Sequence, residues 1–154
     1  MDICEATTSS NIASVLILFK EYASTLPFDL EFQHFKEELA TLPGLYAPPG
    51  GVLLLAQEND DPVGCVAIRP LTYPKIAELK RLYVRPQYRG HGIGKSLCML
   101  ALERARVSGY KRIRLDTISY MHEAKTLYKS LGFFEIPAYC FSPAHDAIFM
   151  ELVL

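Results

Sequence analysis

Gly90, Gly92 and Gly94 recur at every second position, wedged between an apolar run and a helical pattern. No other feature of the chain limits its fold as tightly. Before the glycines, Ile76–Val84 reads as a buried strand. After them, Ile93, Leu97, Leu100, Ala101 and Ala105 fall on one face of a helix predicted over residues 92–108, and Gly109 suits its C-terminal end. Alternating glycines let the backbone adopt positive φ and pass close to a ligand. The free N–H groups and the dipole at the helix start then favour an anion, phosphate above all. Lys80, Arg81, Arg85, Arg89, His91 and Lys95 crowd around this loop in a chain whose net charge is only -1, so the local charge suits phosphate too.

The flanking pattern places the loop in an α/β fold. Strands are expected at residues 2–6, 51–57, 63–69, 112–116, 133–136 and 147–152. An amphipathic helix is expected over 11–24, with Thr7, Thr8, Ser9 and Ser10 offering caps. A second carries Phe32, Phe35, Leu39 and Leu42 on one face, and a short one spans 121–131. Asn59-Asp60-Asp61-Pro62 is turn chemistry, so the strands around it form a hairpin. The order is β-α-α-β-β-β-α-β-α-β-β, a mixed sheet of about seven strands flanked by about four helices. No composition shift or repeat divides residues 1–154, which read as a single domain.

Composition closes off other classes. Half of the 154 residues are hydrophobic, which excludes disorder. Sixteen basic residues against seventeen acidic ones argue against a dedicated nucleic-acid binder. No run approaches the roughly 18 apolar residues of a membrane span, and the first residues lack the pattern of a signal peptide. Cys4, Cys65, Cys98 and Cys140 show no C-x-x-C, so reduced thiols in a cytoplasmic protein are expected. His34, His91, His122 and His145 make no i, i+4 pair, and no metal site is expected.

Two phosphate motifs fail on this loop. The Walker loop needs a glycine where Arg89 stands, and the dinucleotide fingerprint needs a third glycine where Lys95 stands. What remains is Arg89-x-x-Gly92-x-Gly94, overlapped by Gln87-x-x-Gly90-x-Gly92. The stretch Leu82-Tyr83-Val84-Arg85-Pro86-Gln87-Tyr88-Arg89-Gly90-His91-Gly92-Ile93-Gly94 resembles the central motif of the GNAT acetyltransferases. A second stretch, Ala124-x-x-Leu127-Tyr128-Lys129-Ser130-Leu131-Gly132-Phe133, resembles that family's second coenzyme-binding element. Together they cover roughly residue 52 to the C-terminus.

The resemblance implies the GNAT acyltransferase fold and acetyl-CoA as cosubstrate, with direct acetyl transfer to a primary amine of a small molecule or peptide. The pyrophosphate would lie on the loop, at Arg89, Gly90, His91, Gly92, Ile93, Gly94, Lys95 and Ser96. Leu82, Tyr83 and Val84 would pair with the pantetheine arm, and a backbone N–H near Leu82 would polarise the thioester carbonyl. The strand carries its own sign of this. Its alternation slips between Ala77 and Leu79 on one side and Leu82 and Val84 on the other, which marks a β-bulge near Lys80 and Arg81.

Tyr128 matches the family tyrosine that protonates the departing thiolate; a phenol titrates near 10 and a thiol near 8.5. Its place on an apolar stripe also suits a core residue. The family often has Asn near the start of this helix, where His122 or Met121 stands here; His122 and Ala124 are the coenzyme contacts expected from it. Glu78 is the expected base, directly or through water, with an ion-paired Glu beside Lys80 or Arg112 as the alternative. Asp116, Asp29, Gln33 and Tyr46 are expected acceptor contacts, although Asp29 suits a helix cap as well. The segment Ile136-Pro137-Ala138-Tyr139 is expected to wall the acceptor site from the other side. Readings left open are another acyl donor, and a CoA-binding sensor without turnover. A homodimer is also left open, because dimers are common in the family.

Overall fold

A computed structural model describes residues 1–154, the side chain of Phe32 excepted. Seven strands form one sheet: β1 (Asp2–Glu5), β2 (Val52–Glu58), β3 (Asp61–Pro70), β4 (Ile76–Val84), β5 (Arg112–Ile118), β6 (Phe134–Ile136) and β7 (Ala147–Val153). Their spatial order is β1-β2-β3-β4-β5-β7-β6, and only β4 and β5 run parallel. The helices are α1 (Ser9–Ser24), α2 (Phe35–Thr41), α3 (Ile93–Val107) and α4 (His122–Ser130). The element order is the one expected from the sequence. Among the described residues, no helix is long and apolar enough to cross a membrane.

Strand alternation builds a core on each face of the sheet. Val52, Leu54 and Ala56 of β2 face α3 and α4, while Leu53 and Leu55 face α1 and α2. Cys98, Ala101 and Ala105 line the buried face of α3, small enough to bring the helix close to the sheet. Val15, Leu18 and Phe19 of α1 are fully buried on the other side. Each such side chain contributes about 1.5–3 kcal/mol by leaving water.

The segment expected as one second helix is divided. Asp29 accepts from the Glu31 N–H at 2.9 Å and caps a 3-10 turn, Leu30–Gln33. His34 then adopts the left-handed conformation (φ 56°), and α2 starts afresh at Phe35. A left-handed residue cannot continue a right-handed helix, so the shared apolar face of the sequence pattern is interrupted. Phe32, part of that pattern, lies outside the described side chains.

The slip in β4 is a bulge. Lys80 pairs with Ala67 and Tyr83 with Cys65, so Arg81 and Leu82 together oppose Val66. Arg81 takes φ 62°. The bulge lets Ala77, Leu79, Leu82 and Val84 all lie on the α3 side, while Tyr83 turns toward α1. It also turns Arg81 inward, over the Phe35 ring and into a two-pronged pair with Glu38 at 3.0 Å. That pair ties α2 to the middle of β4.

Candidate active site

Beyond the bulge, β4 and β5 part. They pair only at Ile76–Arg112, Ala77–Ile113 and Glu78–Arg114, although β4 runs on to Val84 and β5 to Ile118. Strand β5 instead stays in register with β7 along its whole length. The opening holds two adjacent spaces. A groove of about 780 Å³ runs from the start of α3 between β4 and α4. A chamber of about 60 Å³ lies deeper, between β4, β5, α4 and the first helical layer. Tyr22, Leu82, Met121 and Ala124 border both and mark where they meet.

The groove collects most of the expected coenzyme residues. Leu82, Tyr83, Val84, Arg89, Gly90, Gly92, Ile93, Gly94, Lys95, His122 and Ala124 all line it. Gly90 and Gly92 have φ 83° and 79°, and a Cβ on either would meet no atom within 4 Å. Conformation and open space thus both call for glycine there. The first intrahelical bond of α3 runs from the Ser96 N–H to the Gly92 carbonyl at 3.0 Å. The N–H groups of Ile93, Gly94 and Lys95 precede it and have no intrahelical partner. Arg89 braces the loop: its Nε donates to the Val84 carbonyl at 2.8 Å and its guanidinium lies 5.8 Å from the Tyr83 ring centroid. A glycine cradle, free amides at a helix start and an unpaired strand edge fit the pyrophosphate and pantetheine of an acyl-CoA.

Two loop residues fall outside the groove. The side chains of His91 and Ser96 are exposed, and the Ser96 amide is already spent inside α3. The basic cluster is also smaller than its spacing implies. Arg81 is held by Glu38, Arg85 by Glu21 at 2.7 Å, and Lys80 points into the chamber wall; Arg89 and Lys95 alone of the six line the groove.

The chamber brings together Gln33, Asp116 and Tyr128 of the expected site residues, and adds Tyr22, Lys80 and Met121. Tyr128 serves both of its sequence readings. Its ring packs 5.7 Å from that of Phe133 in the core, and the residue borders the chamber. Burial pushes its phenol well above the usual value of 10, so it stays protonated. Asp29 and Tyr46 are corrections. Asp29 is exposed and caps the 3-10 turn. Tyr46 is buried edge-on against Phe19 and touches neither space.

Glu78 sits where β4 and β5 last pair, with both oxygens engaged. Oε1 accepts from Arg69 at 2.9 Å and lies 3.8 Å from Lys80 Nζ; Oε2 accepts from the Tyr139 hydroxyl at 2.6 Å. This is the ion-paired alternative, with Arg69 added to Lys80; Arg112 pairs with Glu151 instead. Burial alone would raise the Glu78 carboxyl, but Lys80, Arg69 and Tyr139 outweigh it and hold it below the usual carboxylate range. That opposes the basicity a catalytic base needs. Tyr139, expected in the opposite wall, carries its loop onto Glu78.

The folded-state Glu78 carboxyl titrates below its unfolded value of about 4.5, so its contribution is present above that pH and lost as pH falls through the folded value. Glu78→Gln is expected to cost about 2 kcal/mol at pH 7, discounted because Arg69 keeps 30% exposure. The difference from wild type should shrink toward about pH 3. Urea titrations at both pH values check this, and an equal gap at both would refute it.

Comparison with known proteins agrees with this geometry. The description "Acetyltransferase (GNAT) family" fits residues 15–133. An uncharacterized N-acetyltransferase of Schizosaccharomyces pombe is 37% identical over 137 residues, 88% of this chain and 84% of that one. An acetyltransferase structure from Streptococcus agalactiae is 25% identical, covers 99% of this chain and 98% of its own, and superposes with a TM-score of 0.81. The PaiA N-acetyltransferase of Thermoplasma acidophilum, solved with coenzyme A, shares the fold over the full length of both chains (TM-score 0.74, 17% identity). The glycine cradle, the parted strands and these likenesses lead to one assignment: the chain belongs to the GNAT acetyltransferase family and is an acyl-CoA-dependent acyltransferase.

Proposed function

We propose that residues 1–154 form one catalytic domain that moves the acetyl group of acetyl-CoA directly onto a primary amine of a small molecule or peptide. The observation that carries this reading is the meeting of groove and chamber at Leu82, Met121 and Ala124, beside the parted strands. When bound, acetyl-CoA supplies an activated thioester. The loop amides of Ile93, Gly94 and Lys95, with Arg89, hold its phosphates. The free edge of β4 orients the arm, and the Leu82 N–H offers a donor to the carbonyl oxygen, a stabilisation generally worth several kcal/mol. Tyr128, kept protonated, donates to the departing sulfur. Asp116 lines the chamber and is assigned to the acceptor's nitrogen, with its proton leaving toward that carboxylate. Glu78 is a positioning residue that anchors Lys80 and the Tyr139 loop.

Direct transfer is supported by the thiols. Burial raises Cys65 and Cys98, Cys98 to about 12, and burial with the Asp116 and Glu78 charges raises Cys140, which disfavours a thiolate for a covalent intermediate. The four unpaired cysteines also support a reducing, cytoplasmic setting.

Acetyl-CoA at about a hundred times its Kd is expected to raise Tm by roughly 5–10 °C, with ATP and NAD giving no shift. Gly92→Val should weaken that stabilisation by at least about tenfold in Kd, because a β-branched residue resists φ 79°. Thermal unfolding checks both; no shift in folded wild-type protein sinks the reading.

A further inference from the structure

The chamber wall carries opposite charges in an uneven state of satisfaction. Lys80 is buried, at 6% exposure, yet among the described residues its ammonium has one hydrogen bond, to Gln33 Oε1 at 3.0 Å. Its nearest carboxylate, Glu78, pairs with it only at 3.8 Å, beyond hydrogen-bond reach, and takes its hydrogen bonds from Arg69 and Tyr139. An ammonium has three donors, so Lys80 keeps capacity to spare in a place where water is scarce. Asp116 lines the same chamber from β5 and has no ion pair within 4.0 Å among the described residues. The other buried cation near the chamber, Arg81, is matched one to one by Glu38.

A lone ammonium entering this space meets the Asp116 carboxylate but also the like charge of Lys80. A molecule carrying a carboxylate a few bonds from its amine meets a complement for each. The chamber, at about 60 Å³, has room for such a head group and little more, so the rest of the acceptor would extend outward. We infer that the acceptor is a free amino acid, its amino group held at Asp116 and its carboxylate received by Lys80, which Gln33 orients. This rests on the acetyl-transfer reading and names the substrate class of that site.

The charges also set the roles apart. Lys80 touches the part of the acceptor that does not react, so it governs binding and selectivity and leaves the transfer step unchanged. The bond made is between the amine nitrogen and the acetyl carbon, the bond broken is carbon to sulfur, and the carboxylate is a spectator. Removing it should therefore raise KM far more than it lowers kcat.

The test is a thiol-release assay with acetyl-CoA and the standard L-amino acids, each beside its α-amide and methyl ester, which keep the amine but lose the charge. At least one free acid should be turned over with kcat/KM about tenfold or more above its amide and ester. Lys80→Met should abolish that preference mainly through KM, and Gln33→Leu should weaken it without touching the core of the sheet. Acetyl-CoA stabilisation, read separately by thermal unfolding, should persist in both variants. Amides and esters turned over as well as acids would overturn the proposal, as would stabilisation by acetyl-CoA with no turnover of any free acid. Absence of stabilisation in wild-type protein would instead strike the acetyl-transfer reading beneath it.

Discussion

Tyr128→Phe is expected to lower kcat by about a hundredfold while leaving acetyl-CoA stabilisation within error of wild type. The ring would stay where it is, packed on Phe133, because the substitution removes one oxygen and no carbon. The lost hydroxyl is the only part of the residue assigned to chemistry. Its burial raises the phenol well above 10, so it is neutral at pH 7. Two consequences follow. The wild-type rate should show no alkaline decline from this group below pH 10, since the proton is never lost there. The variant should retain the wild-type pH dependence at a lower level. Steady-state kinetics with thiol detection checks both, and a kcat within about threefold of wild type would reduce Tyr128 to a packing residue.

Gly51→Ala is expected to produce the largest loss of stability among single methyl additions, more than about 3 kcal/mol, or a Tm lower by roughly 6–12 °C. A Cβ on Gly51 would lie 2.3 Å from the Leu45 carbonyl oxygen and 2.5 Å from the Tyr46 Cα. These are backbone atoms of the 3-10 turn Gly44–Tyr46, and the Gly51 N–H is itself bonded to the Ala47 carbonyl at 2.8 Å. No side-chain rotation can relieve the clash. The turn would have to lift, taking Tyr46 away from Phe19 and opening the core beneath α1. The neighbouring Gly50 is the control: its Cβ would meet nothing closer than the Tyr110 hydroxyl at 3.7 Å, an ordinary contact, and Gly50→Ala should leave Tm nearly unchanged. Equal behaviour of the two variants in thermal unfolding would refute the steric account.

The contrast between these two glycines shows where reading a sequence stops. Gly90 and Gly92 were legible because their spacing, flanked by a strand and a helix, has a local meaning. Gly51, beside Gly50 in an ordinary turn-like run, has none: its demand comes from a backbone segment folded onto it. The bulge in β4 was legible because a one-residue slip moves every later side chain to the other face, and that shows as a break in alternation. The division of the second helix was hidden, because an apolar stripe reports which residues are buried and carries no sign of a left-handed residue at His34.

Charge followed the same rule. Six basic residues near one loop looked like a single phosphate-binding cluster. The fold supplied Glu38 and Glu21 from distant helices to claim Arg81 and Arg85, and turned Lys80 into the chamber. Glu78 was visible as a carboxylate on the right strand, but its basicity depends on Arg69 across the hairpin and on Tyr139 some sixty residues away. What the amino-acid order determined by itself was the local grammar: strands and helices in sequence, the glycine cradle, the bulge and the tyrosine helix, all written in short-range periodicity and backbone preference. What only the tertiary structure decided was which charges are spent and which are left over, because Coulomb energies and desolvation depend on neighbours in space.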